Sequence, residues 1–175
     1  MHLNPYGQDA VLLAVDLANA PPADAAELGH RCAAAGLVVD RPATAADLDA
    51  ARELLTAWAA IVDAPDARKR ADLLNTLLAG ATAHPRLTDH AGGWHLHFRA
   101  DDLPVAGVLR ALVATGTALH LTGRGMDRLG RCALPDCDRI YADVSRGGRQ
   151  RYCSPPCANR DAVRRHRARP QAGLQ

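Results

Sequence analysis

Lysine and aromatic residues are both scarce. Lys69 is the only lysine among 21 basic residues, and aromatics make up 3% of the 175 positions. A core drawn from this chain must therefore be mostly Leu, Val and Ala, and its positive charge is carried by arginine. An Ala- and Arg-rich composition of this kind points to a GC-rich bacterial genome. No apolar run approaches the roughly 20 residues that cross a bilayer, which argues against a membrane protein. Ahead of the first apolar stretch there is no basic segment, and Asp16 breaks that stretch early, so a secretory leader is not expected. The expected setting is the cytoplasm. Also missing are a Gly-rich phosphate loop, a G-x-S-x-G elbow and paired carboxylates beside a strand end, and these absences argue against an enzyme.

The apolar fraction of 48% suffices for one moderate core with a small appendage. Charge is distributed unevenly over that plan. Residues 1–123 hold nine basic against fourteen acidic side chains, and residues 124–175 hold twelve arginines against five aspartates. An acidic body is thus followed by a basic module, which suits a polyanionic partner for the module.

Four of the five cysteines fall in that module. Cys132 and Cys137 are separated by four residues, Cys153 and Cys157 by three, and the pairs by fifteen. Two close pairs joined by a hairpin-length spacer can bring four thiolates to the corners of a tetrahedron, the arrangement of a closed structural zinc site. Disulfides are the competing reading, but they require an oxidising compartment. Cys32 stands apart in a helical stretch and reads as a small buried apolar residue.

Upstream, the punctuation divides the body into helices. The pattern predicts a helix over Gln8–Asn19 and another from Asp24 to about Ala35, stopped by Gly36. Thr44 and Asp47 resemble an N-cap pair ahead of a helix whose Leu48, Ala51, Leu55, Trp58 and Val62 share one face. A further helix is expected over Asp66–Ala83, with Leu73, Leu74, Leu77 and Leu78 as its apolar residues. Alternation in Trp94–Arg99 predicts a strand with Trp94, Leu96 and Phe98 toward the core and His95, His97 and Arg99 on the other face. Pro85–Thr88 is its expected hairpin partner. Asp102 is placed to cap a last body helix carrying Val105, Val108, Leu109, Leu112 and Val113, which ends near Gly123.

Within the module, Arg139–Val144 and Arg149–Tyr152 read as two strands about a Ser145–Gly148 turn. Ser154 can cap a helix that contains Cys157 in its first turn and runs to about Arg169. The plan is treble-clef-like. The segments Asp143-Val144-Ser145-Arg146, Arg151-Tyr152-Cys153-Ser154 and Cys157-Ala158-Asn159-Arg160, together with the cysteine spacing, resemble the CGNR zinc finger of bacterial proteins whose N-terminal part is the ABATE domain. Asp16, Asn19, the Asp47–Arg52 helix and Trp94-His95-Leu96-His97 resemble that ABATE part. Two positions depart from the pattern: Ala158 stands where the signature has glycine, and Gly147 where asparagine is frequent. The resemblance implies a stress-related transcription regulator with a nucleic-acid-binding zinc finger.

The expected fold class is α+β. Residues 1–123 would form a mostly helical domain with a small antiparallel sheet, suited to sensing or dimerisation, followed by a four-cysteine Zn²⁺ finger over 124–170 and a tail over 171–175. On the last helix, Arg160, Arg164 and Arg167 form one stripe, and Arg165, Arg169 and Asp161 another. With Arg146, Arg149 and Arg151 on the preceding segment and Asn159 at the helix start, they are the candidate nucleic-acid contacts, duplex DNA being the expected partner. Asn159 and Arg160 can equally brace the metal site. His166 is a weaker phosphate contact. His95 and His97, with His84 and His90 near in sequence, are a candidate ligand face for a small-molecule effector, although half-exposed strand residues are the plainer reading. Binding to RNA or to an acidic protein, or a thiol redox switch, are the alternatives for the module.

Overall fold

A computed structural model describes residues 7–37, 41–89 and 93–168. Among them the elements run α1 (Gln8–Asn19), α2 (Ala25–Ala34), α3 (Ala45–Val62), α4 (Ala67–Ala81), β1 (Arg86–Thr88), β2 (His95–His97), α5 (Val105–Arg124), β3 (Leu129–Arg131), β4 (Ile140–Ala142) and α6 (Pro155–Ala168). The fold is α+β, with a helical N-terminal part and two separate two-stranded antiparallel sheets, β1–β2 and β3–β4.

Local chemistry explains the helix starts. Asp24 and Asp66 accept hydrogen bonds from Glu27 N and Lys69 N in the first turns of α2 and α4. Thr44 and Asp47 complete a reciprocal capping box on α3. The buried Asp47 carboxylate reaches further, accepting 2.9 Å from Ala106 N in the first turn of α5. It therefore serves two helix starts, which corrects the expectation for Asp102. The N-cap of α5 is Pro104, which makes no side-chain cap bond.

The core gathers Leu17, Leu28, Leu54, Trp58, Ile61, Leu109, Val113 and Leu121 from four helices. Trp58 is fully buried and satisfies its indole N–H on Thr117 Oγ1 at 2.9 Å. Full burial also pushes the Cys32 thiol up to about 11, consistent with an unreactive core residue. α5 corrects one expectation: its 20 residues include an 18-residue window long and apolar enough to cross a membrane. Yet 67% of that window is buried within the fold, as befits the helix at its centre.

The β1–β2 hairpin forms in the register Arg86↔His97, Leu87↔Leu96, Thr88↔His95. Its faces are opposite to those expected. Trp94 and Leu96 are 75% and 50% exposed, Phe98 is half-buried, and His97 is buried. A period of two assigns residues to faces without saying which face is covered. That is decided from outside the hairpin, by Ala83 N donating to Phe98 O at 2.8 Å and by Asp101, which faces His97 Nδ1 at 3.7 Å and pairs with Arg86. His90 lies outside the described residues.

Candidate metal centre and the basic helix beside it

The second hairpin departs from the expected plan. β4 pairs with β3, upstream of Cys132, in the register Leu129↔Ala142 and Arg131↔Ile140. Cys132 and Cys137 therefore sit in the hairpin's own loop, closed by Cys132 N to Arg139 O at 2.9 Å and Cys137 N to Leu134 O at 3.0 Å. Residues 149–152 form no strand. The edge of β4 away from β3 is already taken, because the Asn19 carboxamide bonds both the N–H and the C=O of Ile140. Arg151 O instead accepts from Ala133 N at 2.7 Å, which returns the chain to the first cysteine pair. Pro155 opens α6, where a missing N–H costs nothing, and Cys157 N and Ala158 N both donate to Ser154 O. Ala158 is helical and half-buried, so the loss of the signature glycine is accommodated.

These elements bring the four sulfurs together. Cys137 and Cys153 Sγ are 3.7 Å apart, Cys153 and Cys157 3.6 Å, and Cys157 and Cys137 3.9 Å. All four, Cys132 included, lie within 4.8 Å of one another. A tetrahedron with Zn–S bonds of about 2.3 Å has edges of about 3.8 Å, whereas a disulfide is about 2.05 Å. The cysteines are unbridged and the donor set fits a closed tetrathiolate zinc site. Sulfurs this close cannot all ionise without a cation among them. The Ser154 hydroxyl, and then the Arg160 guanidinium 3.4 Å from the sulfur, lower the Cys157 thiol to about 6, favouring the thiolate that a metal binds. A small satellite core of Cys132, Leu134 and Cys157, with Tyr152 against it, shields the centre.

Asp143, only 1% exposed, organises the loop between β4 and α6. Its carboxylate accepts from Ser145 N at 2.9 Å, Ser145 Oγ at 2.5 Å and Gln150 N at 3.0 Å, with Arg128 3.4 Å away. Burial opposes ionisation, but the bonds from Ser145 and Gln150 and the Arg128 charge outweigh it and hold the carboxyl below its usual range. Gly148 has φ +62°, a left-handed conformation that favours glycine, and a Cβ there would displace the Arg128 guanidinium. The loop is consequently a built feature presenting Arg146, Arg149 and Arg151, all exposed and with no side-chain hydrogen bond or ion pair among the described residues.

On α6 the arginines divide by face. Asn159, Arg160, Val163, Arg164, Arg167 and Ala168 share one open face. The side chains of Asn159 and Arg167 make no hydrogen bond among the described residues, Arg160 leans on Cys157, and Arg164 approaches Asp136 at 3.5 Å. On the other face Arg165 donates 2.8 Å to Asp161, whose carboxylate also accepts 2.6 Å from the Tyr152 hydroxyl. His166 is exposed, and Arg169 lies outside the described residues. His95 and His97 meet edge to face with ring centroids 5.0 Å apart, and the four cysteines form the one candidate metal cluster among the described residues.

The module is fastened to the body at several points. Leu129, Ile140 and Ala142 join the main core. Arg131 makes a two-pronged ion pair with Asp63 at the end of α3, both contacts 2.8 Å. Buried Arg70 caps the last carbonyls of α3, Ile61 O at 3.0 Å and Val62 O at 2.9 Å, and reaches Met126 O in the connection to β3. Sequence reasoning named Asn19, Asp143 and Tyr152 only as carriers of a resemblance or as members of an expected helix or strand, and missed Asp63, Arg70 and Arg131. A lone polar residue at a helix end carries no sign of which distant backbone it meets.

Residues 12–124 match the ABATE family model, described as "Putative stress-induced transcription regulator", and residues 128–170 match the CGNR zinc finger. The chain belongs to the ABATE family. No curated protein matches it. The ABATE match ends on Arg124, the last residue of α5, and the finger match begins on Arg128, just ahead of β3. Both families are of regulator or zinc-finger type, and in this ABATE chain the cofactor that the four cysteines are positioned to hold is Zn²⁺.

Proposed function

We propose that this ABATE-family protein is a cytoplasmic transcription regulator that binds duplex DNA through its zinc-held C-terminal module, a treble-clef-like unit. One observation carries the reading. Arginines from the Asp143-ordered loop and from α6 are presented beside four cysteines positioned to hold a metal ion, most of them without an ion pair among the described residues. Guanidinium groups so placed neutralise phosphates and can read guanine edges in the major groove. The surface comprises Arg146, Arg149, Arg151, Asn159, Arg160, Arg164 and Arg167, flanked by Arg165. Residues 1–123 then act as the domain that senses an effector or pairs two copies, since one short finger offers little surface and a dimer doubles it. The exposed Trp94 and Leu96 and the His95–His97 pair mark the hairpin where either role would be sought.

The test is the double variant Arg164→Ala, Arg167→Ala against duplexes selected from random DNA by the zinc-loaded protein. The expected result is weaker binding and a salt dependence shallower by about two counterions, with zinc content unchanged. Chelator should abolish binding of the parent protein. An unaltered affinity and salt slope in the variant would take α6 out of the interface, and preferential retention of RNA or of an acidic protein would favour those partners instead.

A further inference from the structure

The α6 surface is not uniformly charged. At its centre lies Val163, 49% exposed, with Asn159, Arg160, Arg164 and Arg167 around it. Cys157 is the only buried residue of this helix. Beyond it the ten residues Asn159–Ala168 extend for about 15 Å at 1.5 Å per residue, with nothing fully covering any of them. A major groove is about 12 Å wide and admits a helix of this kind.

Phosphate neutralisation alone has no use for an apolar side chain in the middle of an arginine surface. Major-groove readout does: the C5-methyl of thymine is the apolar group displayed there, and it distinguishes a thymine-containing step from every other. Arginines on either side bring the helix onto a polyanion by charge, and Asp161, the one acidic residue on α6, is held on the opposite face by Tyr152 and Arg165. We infer that the Val163 face of α6 lies in the major groove of duplex DNA, where Val163 contacts a thymine methyl group and sets a base preference that the surrounding arginines do not. This rests on the duplex-DNA reading above and adds to it a specificity-determining residue.

The experiment uses the zinc-loaded full chain and a duplex selected from random DNA, in which each thymine is replaced singly by deoxyuridine. That change removes only the methyl group. At one position the parent protein should lose about fourfold in affinity, the equivalent of about 0.8 kcal/mol for one buried methyl-sized group. Val163→Ser should bind the thymine duplex as weakly as the parent binds the uracil one, and should not distinguish the two. Val163→Ile should retain the discrimination, and the salt slope should be the same in all three proteins. Because Val163 is solvent-exposed, these variants leave the fold intact. Tight duplex binding that is insensitive to every thymine-to-uracil change, or a discrimination that persists in Val163→Ser, would overturn the inference while leaving DNA binding in place. Failure of the parent protein to bind any duplex, or a preference for RNA, would overturn both.

Discussion

The side chain of Asn19, the last residue of α1, accepts from Ile140 N at 2.7 Å and donates to Ile140 O at 2.8 Å, across 121 positions of sequence. A carboxamide presents one acceptor and one donor in the spacing of a peptide group, so Asn19 substitutes for a third strand beside β4. The zinc module is thereby held to the body by this side-chain-to-backbone pairing as well as by packing.

Replacing Asn19 by Ala removes both partners of Ile140 at a half-buried site. The expected cost is about 1–3 kcal/mol in urea unfolding of the zinc-loaded protein, with faster hydrogen exchange at the Ile140 amide. Asn19→Asp keeps the acceptor and loses the donor, so it should leave the Ile140 amide protected at neutral pH while still lowering stability. Zinc stoichiometry should remain one per chain in both. Equal exchange rates in parent and Asn19→Ala would show that the pairing contributes nothing to docking.

The loop that carries Arg146, Arg149 and Arg151 depends on one carboxylate. In Asp143→Asn an NH₂ group would face donors that now converge on an oxygen, either Ser145 or Gln150 N–H, and Arg128 would lose its counter-charge. Hydrogen bonds to a charged acceptor contribute about 1.5–3 kcal/mol each, and a loss of about that size is expected in denaturant unfolding. Since the folded carboxyl lies below its usual range, its contribution is present above the unfolded value of about 3.9 and disappears as pH falls through the folded value. The difference in stability between parent and variant should therefore be constant near neutrality and shrink in acid. A difference that does not change with pH would mean that the ionised form carries none of it.

Much of this architecture is legible from periodicity and punctuation alone. Gln8–Asn19 is the helix expected, Thr44 and Asp47 form the expected box, and the four cysteines meet as their spacing implies. These features share a property: the residues that decide them are close together in sequence or are the only ones of their kind. The errors fall where a distant partner decides. β4 took β3 and Asn19 in place of residues 149–152, Asp47 capped α5 in place of Asp102, and the covered face of β2 followed from Asp101 and the end of α4. None of these contacts leaves a local mark, because a single amide or carboxylate has the same appearance whether or not it meets a backbone group far away. The arginine division on α6 was readable from the 3.6-residue period, whereas the Tyr152 hydroxyl behind Asp161 was not.

His120 is fully buried on α5, with Nε2 only 3.4 Å from Arg128 O and Nδ1 without a hydrogen-bond partner among the described residues. Burial lowers its pKa below 6.5; the Arg128 carbonyl and Asp143 oppose that, and the Arg124 and Arg128 charges reinforce it. A histidine held neutral in this way favours the folded state fully above its unfolded value of about 6.5, and that advantage is lost as pH falls through the folded value. Stability of the parent protein, measured by urea unfolding with zinc in excess, should accordingly decline below about pH 6.5. Release of zinc by thiolate protonation also contributes in acid, so the decisive quantity is the difference from His120→Leu, which retains the cysteines but has no imidazole to protonate. That difference should move in favour of the leucine variant as the solution is acidified. Parallel pH profiles for the two proteins would place the acid sensitivity at the metal centre and leave His120 as a packing residue.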